Sequence, residues 1–488
     1  MGKENGLFID YKEWELLTSE LLISEVKPTD EIHADIHSIK IYRDSSYKMN
    51  IELEGGTKSF SNVRRENGLS GEIIEGFVLE ATAYNGETQY ILEHCYLGDV
   101  HISSNIYEQG NTFKGILTSF KVKEIQSQEE TDVLFDWFLN GPKGNFIFSR
   151  ITTRVEKRVV NKCRIGIDDK DNNSLKLESE SDRPDYAFID IGDIKFIVSL
   201  VPSHYPPEWS EKIGIEYRKE WGIPNEGVRT AISELVGFII GRQLLQVGTT
   251  RIDENGYVTE REAISPWEQN VVSVCQEPNN NPVNFSYENI GMFEGVMNQL
   301  LPRYLELRDQ LDLSDALWKY WIAGNMPIGT NLPILAAAIE GLAKKWFKSK
   351  MSKTKGVYMD SKAFNKLLSA EIESIKQKMS QIENGQKMIN KINYSYNMGA
   401  NDRLNYFFEE LNITVGEAER AALKARNAMA HGDASSSQET AQLVKMTRIY
   451  QTFFHRVILK LLGYEESYID RGTVGFPERS IDEQSGEI

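Results

Sequence analysis

The stretch TVGEAERAALKARNAMAHG, residues 414–432, contains signals for both ends of one helix. Thr414 and Glu417 match a capping box, in which the Thr hydroxyl accepts from the Glu backbone N–H and the Glu side chain reaches back. One helical face carries small and apolar residues: Ala418, Ala421, Ala422, Ala425 and Met429. Gly432 suits the left-handed position that follows a helix end. We therefore predict a helix that packs by one face and stops just before a sharp turn.

The chain after residue 285 keeps this helical period. Six further segments carry apolar residues at helical spacing; they are residues 293–310, 313–324, 332–350, 361–380, 403–412 and 437–463. The last segment is the longest and repeats apolar pairs from Leu443 to Leu461, so we expect it to be a central helix. Long stripes on successive helices predict an all-α helical bundle over residues 285–488.

Residues 1–284 have a different pattern. From about residue 30 to 210, apolar and polar residues alternate between turn signals, which is typical of strands. One short helix is predicted at 129–141, and a helix with a hairpin centred on Asn255-Gly256 follows near the end of this region. The sequence thus predicts an α+β multidomain protein. A strand-rich N-terminal domain (1–284), resembling a β-sandwich or half-barrel and extended by a helix and hairpin, precedes the all-α bundle (285–488).

Composition excludes several classes of protein. The 488-residue chain has a net charge of −17, which argues against a general nucleic-acid coat but not against a local basic site. Its three cysteines, Cys95, Cys163 and Cys275, are too few and too far apart for a disulfide framework or a cysteine-rich zinc site. No secretory leader, membrane span or phosphate-binding glycine motif is recognisable. We expect a cytoplasmic protein with no cofactor, no metal and no membrane partner.

Arg426, Asn427 and His431 lie within six residues at the end of the predicted helix. Asn427 and His431 share a face at i, i+4, and Arg426 lies about 100° around the helix from Asn427. One interpretation is structural, because basic residues are common at helix C-termini. The other is chemical. A titratable His can transfer protons and an Arg can bind two phosphate oxygens, so the set suits metal-free cleavage of RNA to a 2′,3′-cyclic phosphate and a 5′-OH.

The segment ARNAMAHG resembles the R-N-x-x-x-H signature of the HEPN ribonuclease superfamily. With the multihelical surroundings over roughly 285–465 and the strand-rich region before them, the chain is similar to ApeA-like bacterial anti-phage proteins. The resemblance implies that Arg426, Asn427 and His431 are catalytic. It also implies an acidic residue on an earlier helix that orients the Arg, for which Glu340 is the candidate. It further implies a homodimer through the helical domain, abortive infection, and cleavage of host RNA, expected to be transfer RNA, after a phage protein is sensed by the N-terminal domain.

A basic segment offers a place for RNA. Residues 341–391 contain twelve lysines and four acidic residues, so this segment is basic although the whole chain is acidic. Lys344, Lys345 and Lys348 follow Glu340 and are the RNA-binding candidates. The alternative is a solvated helix face. A second functional hypothesis also stays open, in which the helical domain is a toxin-like module that binds RNA or protein without cutting.

Overall fold

The computed structural model describes residues 8–9, 15–17, 20–23, 25–27, 36–56, 77–83, 86–105, 110–118, 121–143, 148–150, 153–157, 160–164, 186–201, 205–266, 270–285, 291–430 and 437–486. The chain forms two compact units, one of residues 1–281 with 285–298 and one of 282–284 with 299–488. We call them the strand-rich unit and the helical unit. The assignment of a sensor domain to 1–284 and a HEPN-like domain to 285–488 stays a prediction.

The strand-rich unit is built of antiparallel strands, of which β7 is the longest described. They are β1 (Phe8–Ile9), β2 (Leu21–Ile23), β3 (Glu25–Val26), β4 (Ile36–Arg43), β5 (Met49–Gly56), β6 (Phe77–Thr82), β7 (Gln89–Asn105), β8 (Gly110–Thr118), β9 (Lys121–Ile125), β10 (Val133–Leu139), β11 (Thr153–Lys157), β12 (Val160–Arg164), β13 (Tyr186–Ile191), β14 (Ile194–Leu200), β15 (Lys212–Arg218), β16 (Leu245–Ile252) and β17 (Val258–Ile264). Helices α1 (Glu226–Ile240) and α2 (Val271–Gln276) accompany them.

Within the described ranges, most of these strands belong to one sheet of fourteen strands, twelve of which follow one another along a continuous path. The order runs β13-β14-β15-β10-β16-β17-β9-β7-β8-β5-β4-β2, and β6 and β3 are attached through β7. The strands β1, β12 and β11 form a separate sheet. The long strand β7 joins two parts of this sheet, because residues 89–95 pair with β6 and β9 whereas residues 96–105 pair with β8.

The prediction of a helix at residues 129–141 is wrong. Residues 133–139 form β10, which pairs antiparallel with β15 on one side and β16 on the other. All seven of its residues are buried. A strand covered on both faces has a continuous apolar run instead of alternation, and such a run does not distinguish a strand from a helix.

Two other predictions for this unit are confirmed. The helix predicted before the hairpin is α1, on which Ile232, Leu235 and Val236 are buried, and Asn225 caps it by accepting from the Val228 N–H at 3.0 Å. The hairpin at Asn255-Gly256 joins β16 to β17. Gly256 has φ +83°, a backbone conformation that glycine adopts without steric cost.

The helical unit contains the predicted helices and one more. They are α3 (Met292–Leu311, whose first residues belong to the strand-rich unit), α4 (Leu313–Gly324), α5 (Leu332–Lys348), α6 (Ser361–Met379), α7 (Gly385–Asn393), α8 (Ala400–Glu410), α9 (Glu417–Ala430) and α10 (Ser437–Leu461). The hairpin β18 (Ser467–Ile469) and β19 (Glu478–Ser480) follows. The sequence pattern does not predict α7, a nine-residue helix.

Helix α5 occupies a central place in this unit, because it contacts α4, α8, α9 and α10. Its buried residues recur at helical spacing along nearly its whole length. Helix α10 is also central, as predicted, and its run from Ile449 to Leu461 is almost entirely buried. The helix that carries Arg426 and Asn427 therefore packs against the two most buried helices of the unit.

Candidate functional site

The motif helix α9 begins differently from the prediction. Arg420 N donates to Gly416 O at 2.9 Å, so Gly416 is the residue that caps the helix. Gly416 N donates to Glu419 Oε2 at 2.9 Å. The carboxylate that reaches back therefore belongs to Glu419, and the predicted capping box of Thr414 with Glu417 is wrong. Glu417 and Thr414 are exposed.

The C-terminal end of α9 contains two of the three motif positions. Arg426 and Asn427 lie on the helix, which ends at Ala430. The structure describes their backbone only, and His431 lies outside the described residues, as does Gly432. Consecutive helical positions diverge by about 100°, and positions i and i+4 share a face. The convergence of the three side chains stays a prediction.

Glu419 anchors the start of the same helix by a buried ion pair. Its carboxylate bonds Arg456 Nη1 of α10, and both side chains are fully buried. Ser485 N donates to Glu419 Oε1 at 3.0 Å. Burial raises the pKa of Glu419, while the Arg456 guanidinium and the N–H groups of Gly416 and Ser485 act in the opposite direction. We call this contact of α9, α10 and the chain end the α9–α10 junction.

The C-terminal segment, residues 467–486, completes the junction. Asp470 accepts from Ser485 Oγ at 2.6 Å and from Arg479 Nε at 2.7 Å. Burial opposes ionisation of Asp470, but hydrogen bonds from Ser485 and Thr473 outweigh it and lower its pKa. A Cβ on Gly472 would lie 2.8 Å from Ile449 Cγ1 of α10, so the segment packs closely on that helix. These contacts fix the N-terminal half of the motif helix.

Glu340 lies on α5, the helix that contacts α9, and its side chain is half-buried. The helix contact fits the expected place of an acidic residue that supports the motif Arg. The role of Glu340 stays a prediction.

The three lysines expected to bind RNA differ in environment. Lys344 and Lys348 are exposed and lie four residues apart on α5, which places them on one face. Lys345 Nζ lies 3.0 Å from Asp312 Oδ2, so part of its charge is already neutralised within the protein. The structure leaves Lys344 and Lys348 as the better candidates of the three.

The lysine-rich loop after α5 is held by Glu410 of α8. Glu410 Oε1 accepts from Lys353 N at 3.1 Å and from Thr354 N at 3.3 Å. The indole N–H of Trp346 donates to the other carboxylate oxygen at 2.5 Å. Lys353 and Lys355 remain exposed on this loop. A single carboxylate thus gives the basic loop a defined conformation.

His455, which the sequence placed on the last long helix, is a core residue. Its Nε2 lies 2.7 Å from Tyr320 Oη, and the ring is buried. Burial, with a further contribution from the Arg471 charge, lowers the pKa of His455 to about 3. The imidazole is therefore neutral at pH 7 and serves packing rather than proton transfer.

Residues 334–468 match the family model described as Apea-like HEPN. This part of the chain is an Apea-like HEPN domain. The match runs from α5 into β18 and includes Glu340, the lysine-rich segment and the Arg426, Asn427 and His431 positions. No curated protein and no solved structure matches the chain.

HEPN domains are generally ribonucleases, so at the level of the family the match indicates an RNA-directed nuclease function in defence. Within the described part of the chain, no helix is long and apolar enough to cross a membrane. No group of three or more His, Cys, Asp and Glu side chains that could hold a metal occurs among the same residues.

Proposed function

We propose that the protein is a metal-independent endoribonuclease whose catalytic residues are Arg426, Asn427 and His431. The observation that carries this proposal is the Apea-like HEPN match, because it encloses an intact R-N-x-x-x-H motif at the end of helix α9. The junction at Glu419 supports it, since a helix anchored at its start can present the residues at its end in a fixed direction.

The proposed reaction needs no group from outside the protein and the RNA. A neutral imidazole of His431 takes the proton of a ribose 2′-OH, and the 2′-oxygen attacks the adjacent phosphorus. The bond from phosphorus to the 5′-oxygen breaks, and that oxygen receives a proton from an imidazolium. Arg426 binds the phosphate oxygens on which negative charge grows, and Asn427 supplies an amide beside them. The products are a 2′,3′-cyclic phosphate and a 5′-OH.

One chain supplies one motif His, whereas the reaction uses a base and an acid. We propose a homodimer through the helical unit in which two copies of the motif line one cleft. Sedimentation of the full chain should give a dimer. A dimer with one wild-type and one His431→Ala subunit should lose more than half of the activity, because the mixed site lacks either the base or the acid. A mixed dimer with half-activity would instead indicate two independent sites.

The finer identity of substrate and trigger is part of the same proposal. The target is host RNA, with transfer RNA as the expected class, and the trigger is a phage protein bound by the strand-rich unit. Sequencing of RNA 2′,3′-cyclic phosphate ends from bacteria that express the full chain, before and after phage challenge, should show new ends only after challenge. The positions of those ends identify the substrate.

The decisive variants are His431→Ala and Arg426→Ala. Each should reduce cleavage in EDTA by about 10²- to 10⁴-fold, the range for removal of a general acid–base or of a charge-stabilising group. Arg420→Ala is the matched control, because Arg420 is exposed on the same helix and its guanidinium donates to Val415 O, at 3.1 Å from Nε and 2.8 Å from Nη2. Wild-type cleavage by both motif variants, with the control also active, would refute the assignment.

A non-catalytic RNA-binding module is the second candidate, and the exposed lysines of residues 344–391 favour it as much as they favour a nuclease. The two differ after triggering. RNA that co-purifies with the wild-type chain from phage-challenged cells should be cleaved if the protein is a nuclease. The same RNA should be recovered intact if the protein is a binding module.

A further inference from the structure

Helices α6 and α7 form a hairpin, residues 361–393, which we call the arm. The two helices pack chiefly on each other. At the base, Tyr358 N donates to Tyr396 O at 2.9 Å, and the Phe364 and Tyr396 rings contact each other. Along the arm itself the large buried side chains are Phe364, Ile372 and Ile389. The arm is therefore a thin element with most of its surface in solvent.

The arm carries five exposed lysines without an acidic partner among the described residues: Lys362, Lys366, Lys378, Lys387 and Lys391. Lys376 differs, since its Nζ lies 3.4 Å from Glu373 Oε2. At 1.5 Å per residue, the lysines of α6 from the first turn to the last extend over about 24 Å. The arm thus presents separated positive charges along its length.

Helix stability does not explain two of these five positions, whereas Lys378 and Lys391 lie in the last turns of their helices, where the dipole favours cations. Lys362 lies in the first turn of α6 and Lys387 in the first turn of α7. The helix dipole disfavours cations at an N-terminus, so both charges cost a few tenths of a kcal/mol in the free protein. An external anion would turn this cost into a favourable interaction.

Large apolar side chains are exposed along the arm and at the residue that directly follows it, Tyr394. Leu367 and Tyr394 are each 65% exposed, and Ile382 and Met388 are exposed as well. Protein–protein interfaces are depleted in lysine, which argues against a protein as the occupant of this surface. Nucleic acid binds surfaces where lysines meet the phosphates and an aromatic ring stacks on an unpaired base. The charge pattern and Tyr394 favour RNA that is single-stranded or looped.

We propose that the arm is an RNA-docking element, in which Lys362, Lys366, Lys387 and Lys391 contact phosphates and Tyr394 stacks on a base. The inference rests on the proposed function in taking RNA as the polyanion. It goes beyond that function by placing the main contact on α6 and α7 rather than on Lys344, Lys345 and Lys348.

The test compares two full-chain quadruple variants, each in a His431→Ala background so that the RNA stays intact. The arm variant changes Lys362, Lys366, Lys387 and Lys391 to Gln. The control variant changes four lysines of the strand-rich unit to Gln; these are Lys27, Lys40, Lys195 and Lys219, each within 3 Å of an acidic group. Both variants lose the same formal charge.

Binding of a labelled single-stranded RNA is measured in EDTA over a range of salt concentrations. Each phosphate contact on a single strand contributes about 0.7 to the slope of log affinity against log salt, so the arm variant should lose about 3 from that slope. Its affinity at moderate salt should fall by about tenfold or more, and the control variant should bind nearly as the parent. Tyr394→Ala should weaken binding about fivefold or more, and Tyr394→Phe should restore it.

Equal affinity and equal slope in the arm and control variants would overturn the proposal. So would unchanged RNA binding together with a shift of oligomeric state in sedimentation, which would assign the arm to a second copy of the chain. Because binding is measured without cleavage, this experiment can refute RNA docking by the arm while the nuclease assignment holds. The cleavage experiment with the motif variants can likewise refute the nuclease assignment while RNA docking by the arm holds.

Discussion

The helical unit uses charge in two opposite ways. At the α9–α10 junction the charged groups are buried and paired, as in the contact of Glu419 with Arg456 and the bonds of Asp470 to Arg479 and Ser485. Along the arm five lysines are exposed and have no acidic partner within the described ranges. Both regions belong to one Apea-like HEPN domain and its C-terminal extension.

The difference between buried, paired charges and exposed, unpaired charges distinguishes residues that stabilise the fold from residues that are available to bind a ligand. Removing one partner of a buried ion pair is costly because the other charge remains in a low-dielectric interior. An exposed lysine contributes little to folding, since water already solvates it. The junction therefore holds the motif helix in place, and the arm keeps its charge for a ligand.

The largest expected effect comes from breaking the junction. Arg456→Ala leaves the Glu419 carboxylate buried without its guanidinium and should lower the stability of α9 and α10 by about 3–5 kcal/mol. Hydrogen exchange in the full chain should show this as a loss of protection in peptides from both helices, by roughly two orders of magnitude or more. Arg420→Ala, on the exposed side of α9, should leave the same peptides protected.

A double replacement sharpens the result. Glu419→Leu with Arg456→Met removes both charges together and should recover a large part of the lost protection, because no uncompensated charge remains. If Arg456→Ala alone left α9 and α10 fully protected, the junction would not be what fixes the motif helix.

A smaller effect is expected from acid. The folded pKa of His455 is about 3, below the value of about 6.5 for an unfolded chain. Between these values the unfolded state binds more protons, so stability is lost as the pH falls below about 6.5. At pH 5 this amounts to about 2 kcal/mol. His455→Gln, whose amide can still form a hydrogen bond with the Tyr320 hydroxyl, should reduce the loss of protection between pH 7 and pH 5. An identical pH response in the variant would show that His455 is not the titrating group.

Long amphipathic helices could be predicted from the sequence because burial on one face repeats at a fixed period. The segment 313–324 coincides with α4, and the other predicted helices begin and end within a few residues of the observed ones. Short elements and elements that are buried on both faces could not be predicted in this way. Helix α7 has only nine residues with Ile389 as its one large buried side chain, and β10 is covered on both faces. Neither contains a period long enough to identify it.

The candidate site could be predicted from the sequence only where its residues lie close together along the chain. Two glutamates, Glu417 and Glu419, stand near the start of α9, and spacing favoured the first. The partner that selects Glu419 is Arg456, thirty-seven residues further along the chain, and no local pattern contains it. For the same reason the pairing of Lys345 with Asp312 was not visible in the run of lysines.

The smallest expected effect is on stability, from replacing the exposed lysines of the arm. The arm variant with Lys362, Lys366, Lys387 and Lys391 changed to Gln should have the stability of the parent, within about 0.5 kcal/mol, as is usual for exposed positions. A slight gain is expected, because Lys362 and Lys387 oppose the dipoles of their helices. Exchange protection of α6 and α7 peptides measures this, with Lys376→Gln, which removes the pair with Glu373, as the comparison. A loss of protection by tenfold or more in the arm variant would mean that these lysines stabilise the hairpin. Their positions would then be explained by folding, and the contrast with the junction would no longer point to RNA.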